Sequence, residues 1–96
     1  MGAAITDEHR ASLEIKNRLG LHARAAALLV QTASRFNAEV TVAKDGQVVN
    51  GRSIMGVMML AAEQGSRIEV TTSGPEAAEA LAAIRALVDA RFQESE

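Results

Sequence analysis

Residues 39–50 read EVTVAKDGQVVN, and this stretch decides the fold. Its first half alternates polar and apolar side chains, which is the period of a half-buried β-strand. Asp45-Gly46 separates this run from Val48-Val49-Asn50, and Asp-Gly between two such runs is a strong hairpin signal. The stretch therefore predicts two antiparallel strands, 39–43 and 48–50, joined by a tight turn.

The same alternation recurs at 12–17 and at 67–72, so four strands are predicted. Apolar side chains fall on one face of these strands: Leu13, Ile15, Val40, Val42, Ile68 and Val70. Polar side chains fall on the opposite face: Glu14, Lys16, Glu39, Thr41, Glu69 and Thr71. A sheet with one polar face is covered on one side only, which is typical of antiparallel or mixed sheets.

Three segments between and after the strands have helical character. The first runs from His22 to about Ser34, with Phe36 expected to close its end against the core. The second is 53–60, with Ser53 as its N-cap. The third begins after Gly74-Pro75-Glu76, and its apolar stripe comprises Leu81, Ile84, Leu87 and Val88. The predicted order is βαββαβα. The predicted fold is an α+β open-faced β-sandwich in which a four-stranded antiparallel sheet carries three helices on one face.

Composition narrows the domain organisation and the function. The chain has 96 residues, which suit one domain, and we assign 11–96 to it and 1–10 to a flexible N-terminal tail. A net charge of −2 and only two aromatic residues argue against nucleic-acid binding. No segment approaches the roughly 18–20 apolar residues of a membrane span. With no cysteine and no metal-ligand spacing, we expect no metal and no cofactor. The first ten residues do not show the basic region and apolar run of a signal peptide, so we expect a cytoplasmic location.

Gly20-Leu21-His22-Ala23-Arg24 is the first candidate for chemistry. His22 lies where a strand-exit loop becomes a helix, and helix N-termini offer free N–H groups to a phosphoryl group. The helix dipole also disfavours the imidazolium form, and the guanidinium of Arg24 can bind the same phosphate oxygens. On position alone, a single histidine at a helix start is more often a cap or a surface residue, so both interpretations stay open here.

Residues 53–60, SIMGVMML, are the second candidate. They contain too few polar side chains for an ordinary surface helix, and an exposed apolar patch is typical of a partner-binding surface. Methionine suits a surface that accepts several partners. Alternatively, Val57 and Leu60 enter the core and the methionines only fill gaps. Ser53 is most simply an N-cap, although a helix terminus would also favour a phosphoserine.

With these two segments, the chain resembles HPr, the histidine-containing phosphocarrier family of the bacterial phosphoenolpyruvate–sugar phosphotransferase system. The match runs from about Ala11 to Phe92. The resemblance implies that phosphorylated enzyme I phosphorylates His22 on Nδ1 and that the group passes to a histidine of a IIA component. The chain would then be a carrier with a phosphohistidine intermediate and not a stand-alone enzyme.

The resemblance also assigns roles to further residues. Arg24 would assist at the phosphorylation site, and Ser53 matches the regulatory serine used by HPr kinase/phosphorylase. The docking surface for partner proteins would comprise Ala23, Leu28, Ile54, Met55 and Met58. We expect the carrier to be a monomer, because it must present this surface to several partners.

One position departs from the family pattern, since Ala25 stands where proline usually follows the arginine. Alanine keeps the helix but loosens its first turn, and we expect His22 still to be phosphorylated. Two alternatives stay open: a regulatory HPr-like protein that signals without sugar transport, and a ferredoxin-like ligand-binding or RNA-binding module with a similar element order.

Overall fold

The protein is described by a computed structural model over residues 7–94. Its elements follow the predicted order βαββαβα, and a short 3₁₀ turn follows the last helix. The strands are β1 (Glu8–Glu14), β2 (Glu39–Lys44), β3 (Gln47–Asn50) and β4 (Arg67–Ser73). The helices are α1 (Ala23–Ser34), α2 (Ile54–Met59) and α3 (Ala77–Asp89), and the 3₁₀ turn is Arg91–Gln93.

The four strands form one antiparallel sheet in the order β1-β4-β2-β3. The β2–β3 hairpin turns at Asp45 and Gly46, both with positive φ (52° and 84°), as the Asp-Gly signal predicts. The six apolar residues predicted to line one face of the sheet are buried, and the six polar residues predicted for the other face are exposed or half-buried. In β3, Val48 is exposed and Val49 is half-buried. The predicted open-faced α+β sandwich is therefore confirmed.

Strand β1 begins earlier and ends earlier than the sequence pattern predicts. It starts at Glu8, so residues 8–10 of the predicted tail pair with β4, in the register His9 opposite Thr72. Every second side chain of β1 is shielded from solvent, from Leu13 back through Ala11 to His9. Alanine and histidine are not clearly apolar, so the alternating pattern is not recognisable in the sequence at these positions. Residues 1–6 of the predicted tail lie outside the described residues, and the predicted end of the strand, 15–17, leaves the ladder after Glu14.

The core lies between the sheet and the helices and is almost wholly aliphatic. Helix α3 contributes the predicted stripe of Leu81, Ile84, Leu87 and Val88, all buried. The expectation for Phe36 is wrong in part: its side chain is only half-buried and lies beneath the guanidinium of Arg35. Phe92 is the fully buried aromatic.

Phe92 reaches the core because the chain reverses direction after α3. Arg91, Phe92 and Gln93 all have positive φ, at 57°, 52° and 64°. A left-handed backbone costs a non-glycine residue roughly 1–2 kcal/mol, so the turn persists only because other contacts hold it. Burial of the Phe92 ring is a contact of this kind, and the turn places Glu94, the residue after Gln93, beside His22 at the start of α1.

Candidate functional site

His22 is the N-cap of α1, at the end of the loop that follows β1. Its side chain makes no cap hydrogen bond, and the first turn of the helix contains no acidic residue. The first intrahelical bond runs from the Ala26 N–H to the His22 carbonyl at 2.8 Å. The start of α1 thus offers N–H groups and a positive dipole end beside an imidazole, which together suit an incoming anion.

The loop 17–21 before His22 is held firmly. The Asn17 side-chain amide donates to the Gly20 carbonyl at 2.8 Å, and the Leu21 N–H donates to the Ala62 carbonyl at 2.9 Å. Gly20 has a φ of 67°, and a Cβ there would stand 2.4 Å from the Ala62 oxygen. Only glycine allows this close approach, so the loop presents His22 from a fixed backbone.

Glu94 completes the site and is absent from the sequence-based prediction. Its Oε2 is hydrogen-bonded to His22 Nε2, and its Oε1 accepts from Asn17 Nδ2 at 3.3 Å. The side chains of His22 and Glu94 are 28% and 15% exposed, so the pair is partly shielded from water. Asn17 is wholly buried. Its position in the alternating run 12–17 was the one sequence signal for this burial.

The hydrogen bond from His22 lowers the pKa of Glu94 below its ordinary value of 4.5. The bond from Asn17 and the charges of His22 and Arg24 act in the same direction, while burial of the carboxyl opposes them. Glu94 is therefore ionised at neutral pH, and a carboxylate in that state can only accept hydrogen bonds.

Arg24 lies on the exposed side of the first turn of α1. Its charge acts on Glu94, yet its guanidinium forms no hydrogen bond or ion pair with any other residue in the range 7–94. An unpaired guanidinium near a helix N-terminus is well placed to bind phosphate oxygens. Ala25 next to it is fully buried, and α1 begins normally at Ala23 without a proline.

Helix α2 presents apolar side chains to solvent as well as to the core, and partner binding by the exposed ones stays a prediction. Val57 and Leu60 are buried in the core. The side chains of Ile54, Met55, Met58 and Met59 are 41%, 70%, 37% and 64% exposed. Ser53 is the predicted N-cap, and its Oγ accepts from the Gly56 N–H at 3.0 Å.

Helices α1 and α2 pack against each other, which places the remaining predicted docking residues on neighbouring elements. Ala23 is exposed and Leu28 is half-buried against the core. Leu19, in the loop before His22, is 67% exposed and was not predicted as part of this surface. Within residues 7–94, no helix is long and apolar enough to cross a bilayer.

Comparison with known proteins gives a consistent set of matches. Residues 9–90 match the family model PTS-HPr, described as the PTS HPr component phosphorylation site. The phosphocarrier protein HPr of Neisseria meningitidis is 53% identical over 85 residues, which cover 88% of this chain and 96% of that protein.

Two solved structures are also similar to this chain. HPr-C-His from Thermoanaerobacter tengcongensis has a TM-score of 0.88 and 43% identity, covering 92% of this chain and 99% of that one. Crh, the Bacillus subtilis catabolite repression HPr, was solved as a dimer with a swapping domain. It has a TM-score of 0.70 and 42% identity, covering 82% of this chain and 91% of that one.

Proposed function

Since the chain belongs to the HPr family of phosphocarrier proteins, we propose that it accepts a phosphoryl group on His22 from phosphorylated enzyme I and passes it to IIA components. The observation that carries this proposal is the position of His22 at the start of α1, where its side chain makes no cap hydrogen bond and where Arg24 lies exposed in the first helical turn. The acceptor atom is Nδ1, the ring nitrogen that is not bonded to Glu94.

The transfer uses groups that the chain already has in place. The Nδ1 lone pair attacks phosphorus, and the bond between phosphorus and its donor atom breaks, with the electron pair leaving on the donor. Charge on the phosphoryl oxygens is stabilised by the free N–H groups at the start of α1 and by the guanidinium of Arg24. The partner protein supplies the other half of the reaction, as the donor or the acceptor of the phosphoryl group.

The proposed docking surface is the set Ala23, Leu28, Ile54, Met55 and Met58. Its support is the exposure of the α2 side chains and the packing of α2 against α1, which bears His22 at its start. Flexible methionines suit the recognition of both a phosphoryl donor and several acceptors. Met59 and Leu19 are exposed enough to extend this surface.

A mass measurement tests the carrier function. Incubation with phosphoenolpyruvate and an enzyme I from the same organism should add ~80 Da, the mass of one phosphoryl group. His22→Ala should abolish the gain. His9→Ala is the matched control, because His9 is the other histidine of the chain, and it should leave the gain intact. Samples must stay neutral or alkaline, and a folded wild-type protein that gains no mass would contradict the proposal.

Ser53 is proposed as a regulatory phosphorylation site for HPr kinase/phosphorylase. Its support is its position at the start of α2, where a phosphate would meet the helix N–H groups and would add about −1.5 to −2 charge beside the apolar surface. Incubation with that kinase and ATP should add ~80 Da to the wild type. Ser53→Asn keeps a good N-cap but has no hydroxyl, so it should show no gain, and a persisting gain would exclude Ser53.

A regulatory role without sugar transport is the second candidate, favoured by the similarity to Crh. Transfer from phosphorylated protein to a IIA component separates the two roles, because a purely regulatory carrier would accept the group and not deliver it. Family membership removes the basis for the ferredoxin-like alternative. The monomeric state and the cytoplasmic location both stay predictions. Because Crh was solved as a dimer, the oligomeric state of this protein is worth measuring.

A further inference from the structure

We propose that Glu94 is a positioning residue for phosphoryl transfer, which keeps the ring proton of His22 on Nε2 and so leaves Nδ1 as the nucleophile. The same carboxylate stabilises the positive charge that the ring acquires when Nδ1 is phosphorylated. This inference rests on the proposed function, since it concerns the same histidine. It assigns a task to a residue that lies 72 positions away in the sequence.

The contacts around Glu94 give the carboxylate a defined position. Oε2 faces His22 Nε2, while Oε1 accepts from the buried amide of Asn17. Asn17 also donates to the Gly20 carbonyl, so its side chain is hydrogen-bonded both to the Glu94 carboxylate and to the loop before His22. Its Oδ1 is buried without a hydrogen-bond partner among residues 7–94, which costs free energy, whereas its amide nitrogen makes both of these bonds.

The charge state of the pair decides where the ring proton lies. An ionised carboxylate has no proton to donate, so in the hydrogen bond with Glu94 the donor is the Nε2–H of His22. A neutral imidazole carries one ring proton, and with that proton on Nε2 the lone pair lies on Nδ1. The lowered pKa of Glu94 is consistent with an ionised carboxylate at neutral pH.

The proton stays on Nε2 through both transfer steps. When Nδ1 attacks phosphorus, the P–Nδ1 bond forms and the ring becomes a phosphoimidazolium with one positive charge, which faces the Glu94 carboxylate. When the acceptor attacks, the P–Nδ1 bond breaks and its electron pair returns to Nδ1, restoring neutral imidazole. Glu94 thus acts like the carboxylate of a catalytic triad, which orients the histidine and stabilises its imidazolium form.

The segment that carries Glu94 is built to place it there. Arg91, Phe92 and Gln93 hold a left-handed backbone, and Phe92 is anchored in the core with no exposed surface. Strained backbone of this kind is found where the surrounding structure overrides local preference, often next to functional groups. The Glu94 contact is therefore part of the packed fold.

The tautomer of His22 can be measured directly. In protein with ¹⁵N-labelled histidine, the nitrogen shifts of neutral His22 at alkaline pH should show Nε2 protonated and Nδ1 unprotonated. The result needs neither a partner protein nor a variant, so it stands apart from the phosphorylation assay. A proton found on Nδ1 would overturn the proposal, whatever the outcome of that assay.

Steady-state phosphorylation by enzyme I provides the second measurement. Glu94→Gln keeps the shape of the side chain and removes its charge, and kcat should fall on the order of ten-fold with KM unchanged. Glu69→Gln makes the same charge change on the open face of the sheet and should have no effect. An unchanged kcat in folded Glu94→Gln would overturn the charge-stabilising role. A rise in KM alone would do the same, because it would assign Glu94 to partner binding.

Discussion

Replacing Phe92 with alanine should lower the free energy of unfolding by about 3–5 kcal/mol, the range for removing a large buried aromatic ring. Phe92 is completely buried and belongs to the main core cluster. It is also the anchor of the left-handed turn 91–93, so its loss should release Glu94 from His22. Denaturant unfolding measures the loss of stability, and the nitrogen shifts of His22 report the release of Glu94.

Phe36→Ala is the matched comparison for this prediction. Phe36 is the other aromatic residue, but it is half-buried and lies against Arg35 at the surface. Because Phe36 is only partly buried, its replacement should lower the free energy of unfolding by clearly less, about 1–2 kcal/mol. Equal losses for the two variants would show that Phe92 does not hold the core in the way that its burial indicates.

The second large effect is expected for Gly20→Ala. The new Cβ would stand 2.4 Å from the Ala62 oxygen and 3.1 Å from Glu63 Cα, both backbone atoms that cannot rotate away. The positive φ of the new alanine costs roughly 1–2 kcal/mol, and the steric clash costs a further ~1–3 kcal/mol. The free energy of unfolding should therefore fall by about 2–5 kcal/mol. The loop that carries His22 must shift, and the rate of phosphorylation should fall with stability.

Gly46→Ala separates the two contributions in the Gly20 variant. Gly46 also has a positive φ, 84°, but a Cβ there meets nothing within 4 Å. Its replacement should therefore cost only the conformational part, roughly 1–2 kcal/mol, and leave phosphorylation unchanged. If Gly20→Ala proved no more harmful than Gly46→Ala, the close approach to Ala62 would not constrain the loop.

The fold could be predicted from the sequence because its signals are local. Alternating runs with one polar face predict an open sheet, and Asp45-Gly46 predicts the hairpin that orients two of its strands. The start of β1 was missed because His9 and Ala11 face inward without being clearly apolar. The burial of Phe92 depends on three left-handed residues, a conformation that nothing in Arg91-Phe92-Gln93 favours locally.

The site was predictable only in the part that is contiguous in sequence. His22 and Arg24 share a loop–helix junction, so their proximity follows from position. The exposure of Met55 and Met58 was an open question, since an apolar sequence does not say which side faces solvent. Glu94 reaches His22 through tertiary packing, and a lone glutamate after a helix carries no signal of that contact.

The pairing of β1 with β4 has a consequence for how the protein is made. A ribosome delivers the chain from its N-terminus, and β1 emerges long before residues 67–73, the one strand that pairs with it in the described range 7–94. Until that partner appears, β1 has no ladder to join, and the site still lacks Glu94, which is synthesised later. Contacts between such distant segments slow folding, and the site is complete only after residue 94 has been translated.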